Sequence, residues 1–299
     1  MCARLTDVNI ADDVMAGASA GVAYEDVLIC DHAADGGEAH SATWGIAVEQ
    51  PVEISINGAP WMVMLATPAH LDDLAIGLGI TERVLTDVTA VRDVVITARH
   101  HDASVNITVP ESALARDAIL GRATASGTAC GLCGVDSMDQ LRRRTTDLRS
   151  GSRAGSVMHV GEPIADTAIL AGFAALPAYQ PINRATHSVH AAAWCNIGGD
   201  MVLVREDVGR HTALDKLVGA MRRRGLAVTP GFVVMSSRCS FELVAKASAL
   251  NASLLATISA PTTMALEWSR TLGVPLACRI GGASDGRIVR FGTEVAGGA

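Results

Sequence analysis

The spacing of apolar positions divides the chain into two textures. Between residues 52 and 109, short strand-like runs, the first alternating in the two-residue period of half-buried strands, flank one helical stretch. Val52-Glu53-Ile54-Ser55-Ile56 predicts a strand, Asn57-Gly58 a tight hairpin turn, and residues 61–65 its return. Thr67-Pro68 predicts the start of a helix through Leu71, Leu74, Ala75 and Leu78 towards Val84. A second hairpin is expected from residues 91–96 against 105–109, with His100-His101-Asp102 as a solvated turn in preference to a metal site. From Val157 onward, helical periods alternate with short apolar runs. Helices are expected over 164–175, 211–221 and 241–250 and after Pro261; strands over 191–195, 201–204, 232–235, 253–259 and 275–280. Such alternation argues an α/β sheet covered by helices, preceded by a smaller N-terminal α+β part. The expected division is a poorly ordered extension over 1–42 with one short element around Tyr24 to Cys30, and an α+β part over 43–126. A mobile loop and helix then span 127–156, and the α/β domain 157–299.

Composition changes the picture in three ways. Hydrophobic residues make up 49% of the 299 positions but aromatic ones only 3%, so the core must be built from Ala, Val, Leu, Ile and Met. A net charge of −7 provides no basic field for nucleic acid. Arg142-Arg143-Arg144 and Arg222-Arg223-Arg224 read as solvated helix ends. The seven cysteines are odd in number and irregular in spacing, unlike a secreted disulfide framework. No run has the apolar length of a membrane span, and residues 1–7 lack the features of a signal peptide. The expected location is cytoplasmic, with neither nucleic acid nor membrane as a partner.

Two stretches carry candidate chemistry. Cys130-Gly131-Leu132-Cys133-Gly134 places two thiols three residues apart before an expected helix start at Asp136 or Ser137. Such a turn lowers thiol pKa, and the thiolate is the reactive form. A redox dithiol, half of a zinc site and a sulfur-carrying nucleophile all fit the pair. A zinc site needs two further ligands, and Cys2, Cys30, Cys195, Cys239 and Cys278 are scattered singly. Spacing therefore favours a reactive thiol.

The second stretch comprises three polar clusters where strands hand over to helices: residues 205–212, 236–240 and 259–263. Open α/β sheets place ligands at such points. Together the clusters suggest a pocket for an anionic, nucleotide-like ligand, with Arg210 and His211 beside a helix start. The glycine spacing matches neither a Walker loop nor a dinucleotide fingerprint. His190 is followed by Ala191-Ala192, without the glutamate that a zinc deaminase uses, which argues against zinc deamination.

In order along the chain, Cys130-Gly131-Leu132-Cys133-Gly134, His187-Ser188-Val189-His190-Ala191-Ala192, the run from Arg205-Glu206-Asp207-Val208-Gly209-Arg210-His211 to Asp215-Lys216, and Ser236-Ser237-Arg238 followed by Ser240-Phe241-Glu242 resemble the formate dehydrogenase accessory sulfurtransferases, the FdhD family. The resemblance runs from about Glu49 to about Phe291 and includes Glu53-Ile54, Asn57-Gly58 and Thr67-Pro68. It implies a cytidine-deaminase-like fold, a homodimer, and no intrinsic metal. It also implies a sulfurtransferase that relays sulfur from a cysteine desulfurase to a molybdenum or tungsten bis-guanine-dinucleotide cofactor, for the catalytic subunit of formate dehydrogenase. On that resemblance Cys130 is the persulfide carrier, assisted by Cys133. His190, Asp207, Gly209, Arg210, His211, Ser237, Arg238, Arg279, Ile280, Gly281 and Gly282 bind the cofactor, including its guanine nucleotide part. Arg279 stands where the family commonly carries an aromatic residue, and extra residues separate Gly281-Gly282 from Arg287. The rival readings are a non-catalytic cofactor-binding chaperone and half of an intersubunit zinc site.

Overall fold

A computed structural model describes residues 10–30, 39–115, 163–226, 230–281 and 286–291. Helix α1 (Ile10–Ala18) and an antiparallel hairpin, β1 (Val22–Cys30) and β2 (Ala39–Ala47), come first. A four-stranded sheet follows, built from β3 (Gln50–Ile56), β4 (Ala59–Ala66), β5 (Asp93–Ala98) and β6 (Ala103–Thr108), with helix α2 (Leu71–Thr81) between its two hairpins. Its order is β4-β3-β6-β5, with β3 and β6 parallel at the centre. The alternation of β3 turns Val52, Ile54 and Ile56 inward onto Leu71, Leu74, Ala75 and Leu78 of α2. Asn57 and Gly58 both adopt positive φ, 51° and 80°, as the two-residue turn requires.

The second sheet is preceded by α3 (Asp166–Ala175) and α4 (Pro181–Thr186). Its strands are β7 (His190–Asn196), β8 (Met201–Asp207), β9 (Gly231–Met235), β10 (Leu255–Thr257), β11 (Leu276–Ile280) and β12 (Arg287–Phe291). Helices α5 (Arg210–Arg223), α6 (Phe241–Ser248) and α7 (Thr263–Leu272) connect them. The order is β12-β11-β10-β9-β7-β8. One face carries Leu214, Leu217, Val218, Leu243, Val244 and Trp268 from α5, α6 and α7; the other meets Ile169 and Phe173 of α3 and Val14 of α1. Helices on both faces explain why these strands read as continuous apolar runs. Among the described residues no helix is long and apolar enough to cross a membrane.

The two sheets are joined where α2 crosses α5. A Cβ added to Gly77 would lie 1.8 Å from the Asp215 carbonyl oxygen, and one added to Gly219 would lie 1.9 Å from that of Asp73. Only glycine permits backbones to approach so closely.

Three expectations change. Before residue 42 the chain forms α1 and most of a hairpin, where a poorly ordered extension was expected; the one short element expected around Tyr24 to Cys30 is β1. Its Ala-, Gly- and Asp-rich sequence has little local preference, and α1 is ordered by long-range contacts. Val14 enters the core, and Asp13 accepts hydrogen bonds from Arg205 (2.6 Å) and Arg224. Thr67-Pro68 does not open α2, which begins at Leu71 after His70 in a left-handed conformation (φ 53°). The Thr67 backbone is instead held by Asp207 and Lys216. Strand β10 is also shorter than expected, Leu255–Thr257, because Thr257 bends back and donates its hydroxyl to the Ser259 carbonyl at 2.7 Å.

Candidate functional site

Strand direction gathers the polar clusters. β7 is antiparallel to both β8 and β9, so β8 and β9 run the same way, and β10 and β11 continue parallel to β9. The last residues of β8, β9, β10 and β11 (Asp207, Met235, Thr257 and Ile280) therefore emerge on one edge. The reversed strand β7 starts at that same edge with His190, in register opposite Asp207. Residues 205–212, 236–240, 257–263 and 279–281 thus share one end of the sheet, where α/β folds bind ligands.

The cluster after β8 divides by direction. Asp207 faces inward and is fully buried. Its carboxylate accepts the backbone N–H of Thr67 (3.0 Å) and of Gly209 (2.8 Å) and pairs with Lys216 at 2.7 Å. Burial pushes the Asp207 carboxyl up, and the Lys216 charge and these hydrogen bonds oppose it. Lys216 also donates to the carbonyl oxygens of Thr67 (2.9 Å) and Glu206 (3.3 Å). Arg205 binds Asp13 and Asp73, and Arg223 bridges Asp72 and Asp73. Glu206 accepts the backbone N–H groups of Ile182 (2.9 Å) and Asn183 (2.8 Å) at the start of α4, and burial pushes its carboxyl up to about 7. Asp215 is likewise occupied inside the protein, by Lys246 (2.8 Å) and Thr81 (2.6 Å).

Gly209, Arg210 and His211 follow at the sheet edge, where α5 begins. Gly209 caps α5 without a side chain, and the next residue, Arg210, has a buried Nε with no hydrogen-bond partner among the described residues. Buried guanidinium nitrogens normally have partners. His211 approaches Ser240 Oγ at 3.1 Å and Glu242 Oε2 at 3.3 Å. Burial lowers the pKa of the half-buried His190, and the charges of Arg210 and His211 lower it further. Ser237 is buried, with its hydroxyl on the Arg238 carbonyl at 3.1 Å, whereas Arg238 is exposed. Arg279 lies 5.5 Å over the Phe173 ring, Ile280 is exposed, and Gly281 takes φ 90°. Thr262 accepts from the Ala265 N–H and caps α7.

Cys130, Cys133 and Gly282 lie outside the described residues. Cys195 and Cys239 are buried, and burial pushes both thiols up to about 12; it also raises Cys278. Buried thiols with raised pKa are poor nucleophiles, and Cys239 packs in the core. Among the described residues no group of three or more His, Cys, Asp or Glu side chains could hold a metal ion. Sequence reasoning missed Thr67, Lys216 and Glu242. Lys216 carried a signal, as half of the lone charged pair Asp215-Lys216 within the apolar run 213–221; Thr67 had none.

The FdhD/NarQ family model matches residues 47–286. The chain is 39% identical over 231 residues to the sulfur carrier protein FdhD of Bordetella bronchiseptica, covering 77% of this chain and 80% of that protein. It is 38% identical over 232 residues to the sulfur carrier protein FdhD of Cupriavidus necator, covering 78% and 77%. The fold is similar to the crystal structure of a protein described as a formate dehydrogenase accessory protein from Desulfotalea psychrophila. The TM-score is 0.63 at 16% identity, over 92% of this chain and 98% of that one. With a model matched across most of its length and relatives of this identity, the chain belongs to the FdhD/NarQ family.

Proposed function

We propose that the protein carries sulfur for a formate dehydrogenase, accepting it on Cys130 from a cysteine desulfurase and delivering it to a molybdenum or tungsten bis-guanine-dinucleotide cofactor at the sheet edge. The observation that carries the reading is the gathering of Arg210, Arg238 and Arg279 with His190 and His211 along one edge, in a chain whose relatives are named sulfur carriers. The cofactor is the substrate, and its phosphates suit guanidinium groups. The buried Arg210 Nε, unpartnered among the described residues, is a donor that such an anion would satisfy.

The Cys130 thiolate attacks the terminal sulfur of the desulfurase persulfide. The donor's S–S bond breaks, its cysteine leaves as thiolate, and Cys130 holds a persulfide. Cys133 then attacks the inner sulfur of that persulfide. A Cys130–Cys133 disulfide forms and hydrosulfide leaves for the metal, the two thiols supplying the two electrons. A thiol reductant restores the pair. In this reading the protein works as a cytoplasmic homodimer, with the desulfurase and the formate dehydrogenase catalytic subunit as partners. The mixed sheet with helices on both faces supports a cytidine-deaminase-like scaffold, and Ala191-Ala192 after His190 supports its use without deamination.

Intact-protein mass spectrometry after incubation with a desulfurase and cysteine tests the reading. Wild type is expected to gain one sulfur atom that Cys130→Ala does not. No gain on wild type with an active donor would turn the reading to a non-catalytic cofactor-binding chaperone.

A further inference from the structure

A carboxylate at the edge assigned to an anionic ligand calls for a reason. Glu242 is 8% exposed, in the first turn of α6, whose N-cap is Ser240. His211 is 3% exposed, in the first turn of α5. The two helix starts meet through these side chains, with His211 Nε2 at 3.3 Å from Glu242 Oε2 and 3.1 Å from Ser240 Oγ. Burial would raise the Glu242 carboxyl, but the hydrogen bond and charge of His211, with the Ser240 hydroxyl, hold it below the ordinary glutamate value. Glu242 is therefore a carboxylate engaged with His211, and Arg210 stands next to that imidazole in the chain.

We propose that Glu242 is a positioning residue for His211: it accepts a hydrogen bond from Nε2–H, fixes the ring at the sheet edge beside Arg210, and so strengthens the hold on the phosphates of a guanine-nucleotide arm. The proposal rests on the cofactor reading above. It predicts a sign that a bystander charge does not. A glutamate near an anion, acting only by its charge, weakens binding, so its removal would tighten it. A glutamate that acts through His211 does the reverse.

The experiment is calorimetric titration of the full-length protein with GDP, for wild type, Glu242→Gln, His211→Gln and the double variant. Thermal melts confirm that each is folded at the assay temperature. Each single variant is expected to bind about tenfold more weakly, with the double variant no weaker than either, because neighbours acting as a unit are non-additive. Equal or tighter binding by Glu242→Gln, or losses that multiply in the double variant, would overturn the proposal. Should Glu242→Gln fail to fold, Glu242→Asp keeps the charge on α6 but draws the carboxylate back from His211. Weaker binding is expected there too, and wild-type affinity would overturn the proposal. Wild type that binds no GDP would instead sink the cofactor reading, and the inference with it.

Discussion

The junction beneath β8 and the edge above it are built from one run of sequence, yet they treat polar groups in opposite ways. At the junction, Asp207, Lys216, Thr67 and Gly209 satisfy one another, and Arg205 is wrapped by Asp13 and Asp73. At the edge, the Arg210 Nε is buried without a partner among the described residues, and Arg238 is exposed. Closed networks position; open donors are free to meet a ligand. A motif dense in charge is thus not a list of ligand contacts: Asp207, expected to bind the cofactor, is fully buried, and its carboxylate is engaged by Thr67, Gly209 and Lys216, which ties the Thr67 segment to the turn carrying Arg210 and His211.

The contrast is broken most severely at Lys216. Lys216→Met leaves the Asp207 carboxylate buried without its cation and is expected to cost about 3–5 kcal/mol. Urea denaturation measures it, and adding Asp207→Asn should recover part of the loss. A cost below about 1 kcal/mol would remove the pair from its positioning role.

A smaller effect is expected at Glu206, on the rim of the junction. Its folded pKa is raised, from 4.5 to about 7, by burial, which outweighs the Ile182 and Asn183 N–H groups. A raised carboxyl binds its proton more tightly in the folded state. Its contribution is therefore fully present below pH 4.5 and is lost as pH rises towards about 7. Thermal melts across this window should show wild type losing stability relative to Glu206→Gln, and parallel curves would refute the assignment.

The smallest effect on folding belongs to the edge. Arg238→Ala should change stability by no more than about 0.5 kcal/mol while weakening GDP binding. A clear loss in the melt would place Arg238 with the junction instead.

How much of this was legible in the sequence follows the range of the forces involved. The helices after β8 and β9 and the strand ends they follow show in the apolar period, because local pattern and burial agree there. The gathering of the polar clusters depended on β7 lying between β8 and β9, antiparallel to both; the Gly198-Gly199-Asp200 turn encodes its reversal against β8, but nothing local encodes its pairing with β9. Helix α1 was missed because Asp13 finds Arg205 from 192 positions away. Thr67 was read as a helix start because Thr-Pro commonly is one, while its backbone is claimed by Asp207 and Lys216. Lys216 announced itself only as half of a charged pair in an otherwise apolar stretch, and nothing told which carboxylate it would choose. The cysteine pair, clearest of all in sequence, lies outside the described residues.

The 2.7 Å contact between Asp207 and Lys216, with neither side chain exposed, also sets what dissolved ions can reach. Counter-ions act through water, within a Debye length of about 8 Å at physiological ionic strength, and screen buried pairs far less. On the proposed reading, raising the salt concentration would therefore weaken an anion's contact with the exposed Arg238 while the buried pair keeps its geometry. Ionic strength would then release the bound anion without unfolding the protein.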